Sequence, residues 1–261
     1  MFLQSHSKYL IWYIQMSYIY LKIVYLSFNI MHTSLQIENN SIPIYYVEGT
    51  PQDPIVLVFS SIFGLTTAIE DLCEEISYFG ASVVAVNLFW QQGGTAFEES
   101  QIALALHRKN QIPQMRMISH ALAYAQAVRE SNRPLIALGM GYGGHLAFCC
   151  LAENLVDSAV MWHPSGLGDY TFLIEDILPL SKPFFIHVGD ADPLFQPHEV
   201  QVFREKIQRD QHQPIQKKSQ SQIQMYSNIG VGFSLNGHSS YREDITNRCL
   251  QHLESIIQSS R

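Results

Sequence analysis

Basic residues are scarce and scattered in this chain: 16 Lys plus Arg stand against 23 Asp plus Glu, a formal net charge of -7, and they form no basic block. A chain that grips nucleic acid needs a positive stripe, so no nucleic-acid partner is expected. Cysteine is equally sparse. Cys73, Cys149, Cys150 and Cys249 show no C-x-x-C pairing, and Cys149 and Cys150 fall in an apolar helical stretch where a thiol behaves as a small hydrophobe, so all four read as reduced and buried. The 11 His show no metal-ligand spacing and no Walker-type phosphate loop occurs, so neither metal nor cofactor is expected. After residue 31 there is no Pro- or Gly-rich linker and no internal repeat. With 261 residues, 47% of them hydrophobic, the remaining reading is one substantial core.

One long apolar run is present. From Tyr9 to Met31 the chain is dominated by Tyr, Ile, Leu, Phe and Trp, with Lys22 as its sole formal charge. The run is long enough to span a bilayer, but a Lys near its middle costs about 2.5–3.5 kcal/mol on insertion scales. No small-residue cleavage site follows, which argues against a removable signal peptide. We therefore divide the chain into an apolar extension, 1–31, and a globular unit, 32–261. Translation starting at Met31 is the first reading and a membrane anchor the alternative, so the expected location is cytoplasmic unless 9–31 tethers the protein.

Past Met31, apolar runs at Ile42–Val47, Ile55–Phe59, Ser82–Asn87, Leu135–Leu138, Ser158–Trp162, Pro183–Val188 and Gln222–Tyr226 read as strands. They alternate with helical patterns at Thr66–Phe79, Gln114–Arg129, Tyr142–Glu153, His198–Arg209 and Tyr241–Ile257. Strands apolar throughout, such as Val83-Val84-Ala85-Val86, suit burial on both faces. An α/β architecture follows, with a doubly wound, mostly parallel sheet and helices on both faces. Gln211 to Gln224, rich in Gln, Lys and Ser, breaks the rhythm and reads as a mobile surface connection.

In such sheets the ligand crevice lies beyond the carboxyl ends of the strands. Four segments lie there: Ser60-Ser61-Ile62-Phe63-Gly64, Gly139-Met140-Gly141-Tyr142-Gly143-Gly144, His187-Val188-Gly189-Asp190-Ala191-Asp192-Pro193, and Tyr226 to Phe233. The second has the strand, tight glycine turn and helix of a nucleophile elbow, with Gly141 at its apex. A mid-sheet glycine turn is out of place as a dinucleotide fingerprint, which opens the first βα unit.

Taken together, Ile62-Phe63-Gly64, Gly139-x-x-x-Gly143-Gly144, His163-Pro164-Ser165, Gly189-x-x-Asp192-Pro193 and Tyr226-Ser-x-x-x-x-Gly232-Phe233 resemble the dienelactone hydrolase family of α/β-hydrolases from about residue 42 to the last helix. The resemblance implies the α/β-hydrolase fold and an ester- or lactone-hydrolysing ancestry of the carboxymethylenebutenolidase kind. It also implies a damaged site. The family's nucleophilic Cys falls on Gly141, its His on Val231, its acid on Asp192, and an acidic residue that members often carry before Ile-Phe-Gly corresponds to Ser61. A triad needs nucleophile, base and orienting acid, and two of the three positions carry none. Asp192 is then a remnant acid, read as a surface or turn-capping carboxylate.

The resemblance places an oxyanion hole on the backbone N–H groups of Ile62 and Tyr142, which side-chain loss leaves intact. The expected pocket comprises Ser61, Ile62, Phe63, Tyr142, His163, Ser165 and Phe233, and its ligand would be a small carbonyl or carboxylate compound. The leading expectation is a pseudoenzyme, hydrolysis absent or strongly impaired. The alternatives are an active ester or lactone hydrolase using relocated groups such as His238 or His145, and a membrane-tethered interaction protein. His238 reads as an exposed loop residue, His145 as structural and Ser165 as lining the site or capping a turn.

Overall fold

The computed structural model describes residues 30–37, 39–174, 182–211 and 221–261. Most of the apolar extension, residues 1–29, lies outside these, as does most of the expected mobile connection, residues 212–220. Among the described residues no helix is long and apolar enough to cross a membrane.

The elements in chain order are β1 (Ile30–Ile37), β2 (Asn40–Val47), β3 (Ile55–Phe59), α1 (Thr67–Ser77), β4 (Ser82–Val86), α2 (Ile102–Asn110), α3 (Gln114–Val128), β5 (Leu135–Met140), α4 (Gly143–Ala152), β6 (Ser158–Trp162), β7 (Phe184–Gly189), α5 (Pro197–Gln211), β8 (Gln222–Tyr226) and α6 (Glu243–Ser259). The strands form one sheet in the order β1-β2-β4-β3-β5-β6-β7-β8. The pairs β1/β2 and β2/β4 are antiparallel and the rest parallel. This is the α/β-hydrolase arrangement that the strand and helix pattern predicts.

Strand periodicity divides the core. On β3, Leu57 and Phe59 face one apolar layer, joined by Tyr124 of α3, Leu146 and Phe148 of α4 and Phe203 of α5. Val56 and Val58 face the other, with Leu72 and Ile76 of α1 and Leu250 and Leu253 of α6. Central strands covered on both sides are therefore apolar at every position, as β3 through β6 are nearly throughout.

Two elements were not read from the sequence. Strand β1 starts at Ile30, on the other side of the boundary drawn at residue 31, and pairs along its length with β2. Helix α2 lies between β4 and α3, where no helix was expected.

Candidate active site

The elbow forms where expected and its packing dictates its glycines. A Cβ on Gly143 would stand 2.1 Å from the Phe59 carbonyl oxygen, one on Gly139 2.3 Å from the Gly143 oxygen, and one on Gly144 2.4 Å from Pro164 Cβ. Helix α4 thus approaches β3 and the loop after β6 too closely for any side chain at these places. Gly141 differs. Its φ is +53°, the left-handed elbow conformation, and a Cβ there would crowd Ser61 Cβ at 3.3 Å, which would have to yield slightly, and meet the His163 ring at an ordinary 3.7 Å. Its carbonyl accepts from the N–H groups of Gly144 at 3.0 Å and Ser165 at 2.8 Å. The turn has the backbone of an elbow with no side chain at its apex.

The 226–238 loop meets the elbow through His163. His163 is buried, at 1% exposure, with φ +39°, a conformation costing a non-glycine residue about 1–3 kcal/mol. Its Nε2 lies 2.8 Å from Ser234 Oγ, its ring packs edge-on against Phe233 at 5.1 Å, and its Nδ1 borders the place of the missing side chain at 141. The elbow turn and the loop after β8 are therefore joined through buried His163, which touches Ser234 and Phe233 on one side and borders position 141 on the other. Nδ1 receives no hydrogen bond from another side chain. Burial drives the imidazole pKa down to about 3, so it is neutral.

His238 overturns its reading as an exposed loop residue. It turns inward over Gly232, where a Cβ would meet its ring at 2.6 Å, and its side chain is only 12% exposed. The Ser240 N–H donates to its Nδ1 at 3.1 Å, which leaves the proton on Nε2, 3.4 Å from Glu99 Oε1. Glu99 is fixed in turn by the N–H and hydroxyl of Ser239, at 2.6 and 2.7 Å, which hold its carboxyl below the usual range. Both imidazole nitrogens are thus engaged, Nδ1 as acceptor from the Ser240 N–H and Nε2 toward Glu99.

Asp192 is a second correction: it is not at the surface but 2% exposed. Its Oδ1 accepts from the Leu194 N–H at 2.8 Å, the turn cap expected, while Oδ2 has no side-chain partner. Burial first, with a push from Glu199, raises its pKa from 3.8 to about 6.

The open space beside these groups is a cleft of about 610 Å³ walled by Ser61, Phe63, Phe97, Glu98, Glu99 and His238 among others. Of the expected pocket residues, Ser61 and Phe63 line it. Ile62 packs at the edge of the core, Ser165 contributes its backbone, and the side chains of His163 and Phe233 are buried. Tyr142 is corrected as a side chain: its ring lies in the core against Phe89, and burial lifts its pKa to about 12. Neither the Ile62 nor the Tyr142 N–H is taken by a backbone hydrogen bond among the described residues. The loop carrying Ile62 is pinned by Arg108, which sequence reasoning missed. Buried at 5% exposure between the Phe89 and Phe97 rings, it donates to the carbonyls of Ile62, at 2.8 Å, and Thr95. His145, read as structural, is buried, edge-on to Tyr142 and stacked on Tyr170.

The family model for dienelactone hydrolases matches residues 44–260. The chain belongs to the dienelactone hydrolase family. Carboxymethylenebutenolidase 1 of Cupriavidus pinatubonensis is 30% identical over 150 residues, covering 55% of this chain and 63% of that protein, so the match spans less than two thirds of the relative's length. Among solved structures, a dienelactone hydrolase-like promiscuous phosphotriesterase from metagenomic libraries superposes with a TM-score of 0.69 at 14% identity, over 88% of this chain and 98% of that one. The dienelactone hydrolase of Anabaena variabilis gives 0.62 at 10% identity, over 88% and 97%. These likenesses establish the fold. Within it, the residues absent from the sequence reading, Glu99, Arg108 and Ser234, sit on short or irregular segments and had no motif to announce them.

Proposed function

We propose that this dienelactone hydrolase-family chain does not hydrolyse esters or lactones, and that its cleft holds a small carbonyl compound. The observation that carries this is the pair of empty roles at the elbow: Gly141 offers no attacking atom, and the inward-turned His238 has both ring nitrogens occupied. Asp192, with no imidazole on Oδ2, orients nothing. The unengaged N–H groups of Ile62 and Tyr142 are what remains to receive a carbonyl oxygen. Glu98 and Glu99 in the wall, with no Lys or Arg lining it, favour a neutral carbonyl ligand over a carboxylate.

A second reading has one observation in its favour: His163 Nε2 stands 2.8 Å from Ser234 Oγ, an imidazole on a hydroxyl. That pair is sealed from the cleft, its imidazole is a weak base and no carboxylate sits on Nδ1, so hydrolysis through it is the weaker reading. Turnover of p-nitrophenyl acetate by the purified chain decides between them. The proposal expects rates equal to those of Ser234→Ala and His238→Ala. A rate that either substitution abolishes would establish a relocated active site.

A further inference from the structure

At the flank of the sheet where β8 is the last strand, a second recess of about 320 Å³ opens among His187, Gln222, Gln224, Tyr226, Arg248 and His252. It shares no lining residue with the cleft beside Ser61. Each of these six side chains can donate a hydrogen bond and none is a carboxylate, although acids outnumber bases in the whole chain. Arg248 is exposed and forms no ion pair among the described residues. An unpaired guanidinium in a wall without acids is a feature that a bound anion would explain.

The wall is also wired for a proton. His187 Nδ1 lies 2.8 Å from Tyr226 Oη and its Nε2 2.9 Å from His252 Nδ1, while Tyr226 Oη lies 3.8 Å from Cys249 Sγ. Both nitrogens of His187 are committed, and His252 Nε2 has no partner among the described residues. When His252 is protonated, its Nδ1–H donates to His187 Nε2, His187 Nδ1–H to Tyr226 Oη, and the Tyr226 O–H to the Cys249 sulfur. No hydrogen bond is lost on forming the cation. The groups facing His252 are His187 from β7, Tyr226 from β8 and Arg248 from its own helix, all neutral or positive. Burial keeps His252 below its usual pKa without a ligand, and an anion at Nε2 would reverse that.

We propose that this recess binds a tetrahedral oxyanion, free phosphate or the phosphate of a small monoester, between the Arg248 guanidinium and the His252 imidazolium, with the Gln222 and Gln224 amides as further donors. A guanidinium forks two N–H groups onto one phosphate, and the remaining oxygens reach the other donors, which a two-oxygen carboxylate cannot do as fully. This site is independent of the reading of the elbow.

Calorimetric titration of the full-length chain tests it, with ionic strength held constant by chloride. Inorganic phosphate and phenyl phosphate should each bind saturably, and whichever binds tighter identifies the source as free phosphate or monoester. Sulfate, whose charge does not change between about pH 6 and 8, should bind about tenfold tighter at the lower pH. Arg248→Gln, at an exposed position, and His252→Asn should each weaken phosphate binding about tenfold. An affinity unchanged in Arg248→Gln, or the absence of saturable heat in the parent chain, would overturn the site even if His252→Asn failed to fold.

Discussion

Replacing Asp192 by Asn isolates an acid with no base to serve. In the folded chain its carboxyl is buried and keeps a proton up to about pH 6, against 3.8 for a free aspartate. Between those values the folded state holds a proton that the unfolded state has released, so stability falls as pH rises through the window, and the full cost stands above about pH 6. Two pH units at about 1.4 kcal/mol each put that cost at up to about 3 kcal/mol, and solvent screening from the neighbouring turn reduces it to about 2. Asn keeps an acceptor for the Leu194 N–H and carries no charge. Urea unfolding at about pH 7.5 should therefore show Asp192→Asn more stable than the parent by about 2 kcal/mol, or about 4–8 °C in Tm. At about pH 4.5 the gain should shrink to less than half. An imidazolium on Oδ2 would depress the pKa and reverse the sign. A variant less stable at the higher pH, or equally shifted at both, would refute the picture of an unserved carboxyl.

Three buried imidazoles run in the opposite sense. Burial holds His145 at about 4 and both His163 and His187 at about 3, so unfolding below pH 6.5 takes up to three protons. Asp192 offsets about one of them, so stability should fall by about 3 kcal/mol per pH unit near pH 5, and a midpoint constant from pH 7 to 4.5 would contradict this. Ala at Gly143, whose Cβ meets a carbonyl oxygen at 2.1 Å, should cost more than about 3 kcal/mol, whereas Gly141→Ala, strained and only lightly crowded by Ser61, should cost about 1–2. Equal losses in calorimetric melts would mean the elbow is not packed this way. Gly141→Cys with Val231→His should gain esterase turnover of about a hundredfold over either single change, the usual worth of a general base. Full activity in Gly141→Cys alone would assign the base to His163, whose Nδ1 already borders that position.

Much of the architecture was legible because burial on both faces makes central strands apolar without a break: β3 and β6 begin and end where the pattern placed them. Helix α2 was not, because its pattern is inverted. Ile102, Leu104 and Leu106 are exposed while Arg108 is buried, held by backbone carbonyls and aromatic rings rather than by apolar neighbours. Strand β1 is a mostly exposed edge, and its polar residues carry little periodic signal. At the site, the elbow was readable because close packing requires glycine at 139, 143 and 144. The inward turn of His238 was not, since it depends on Glu99 and Gly232, far apart in the chain and joined only by the fold.

Intact-mass measurement after exposure to a fluorophosphonate and to a reactive β-lactone asks directly whether the crevice contains an attacking atom. With glycine at the elbow apex, His163 buried, both ring nitrogens of His238 engaged, and all four cysteines buried, the mass should stay that of the unmodified chain. A stoichiometric adduct mapping to Ser61 or Ser234 would show a working nucleophile and contradict a non-hydrolytic site.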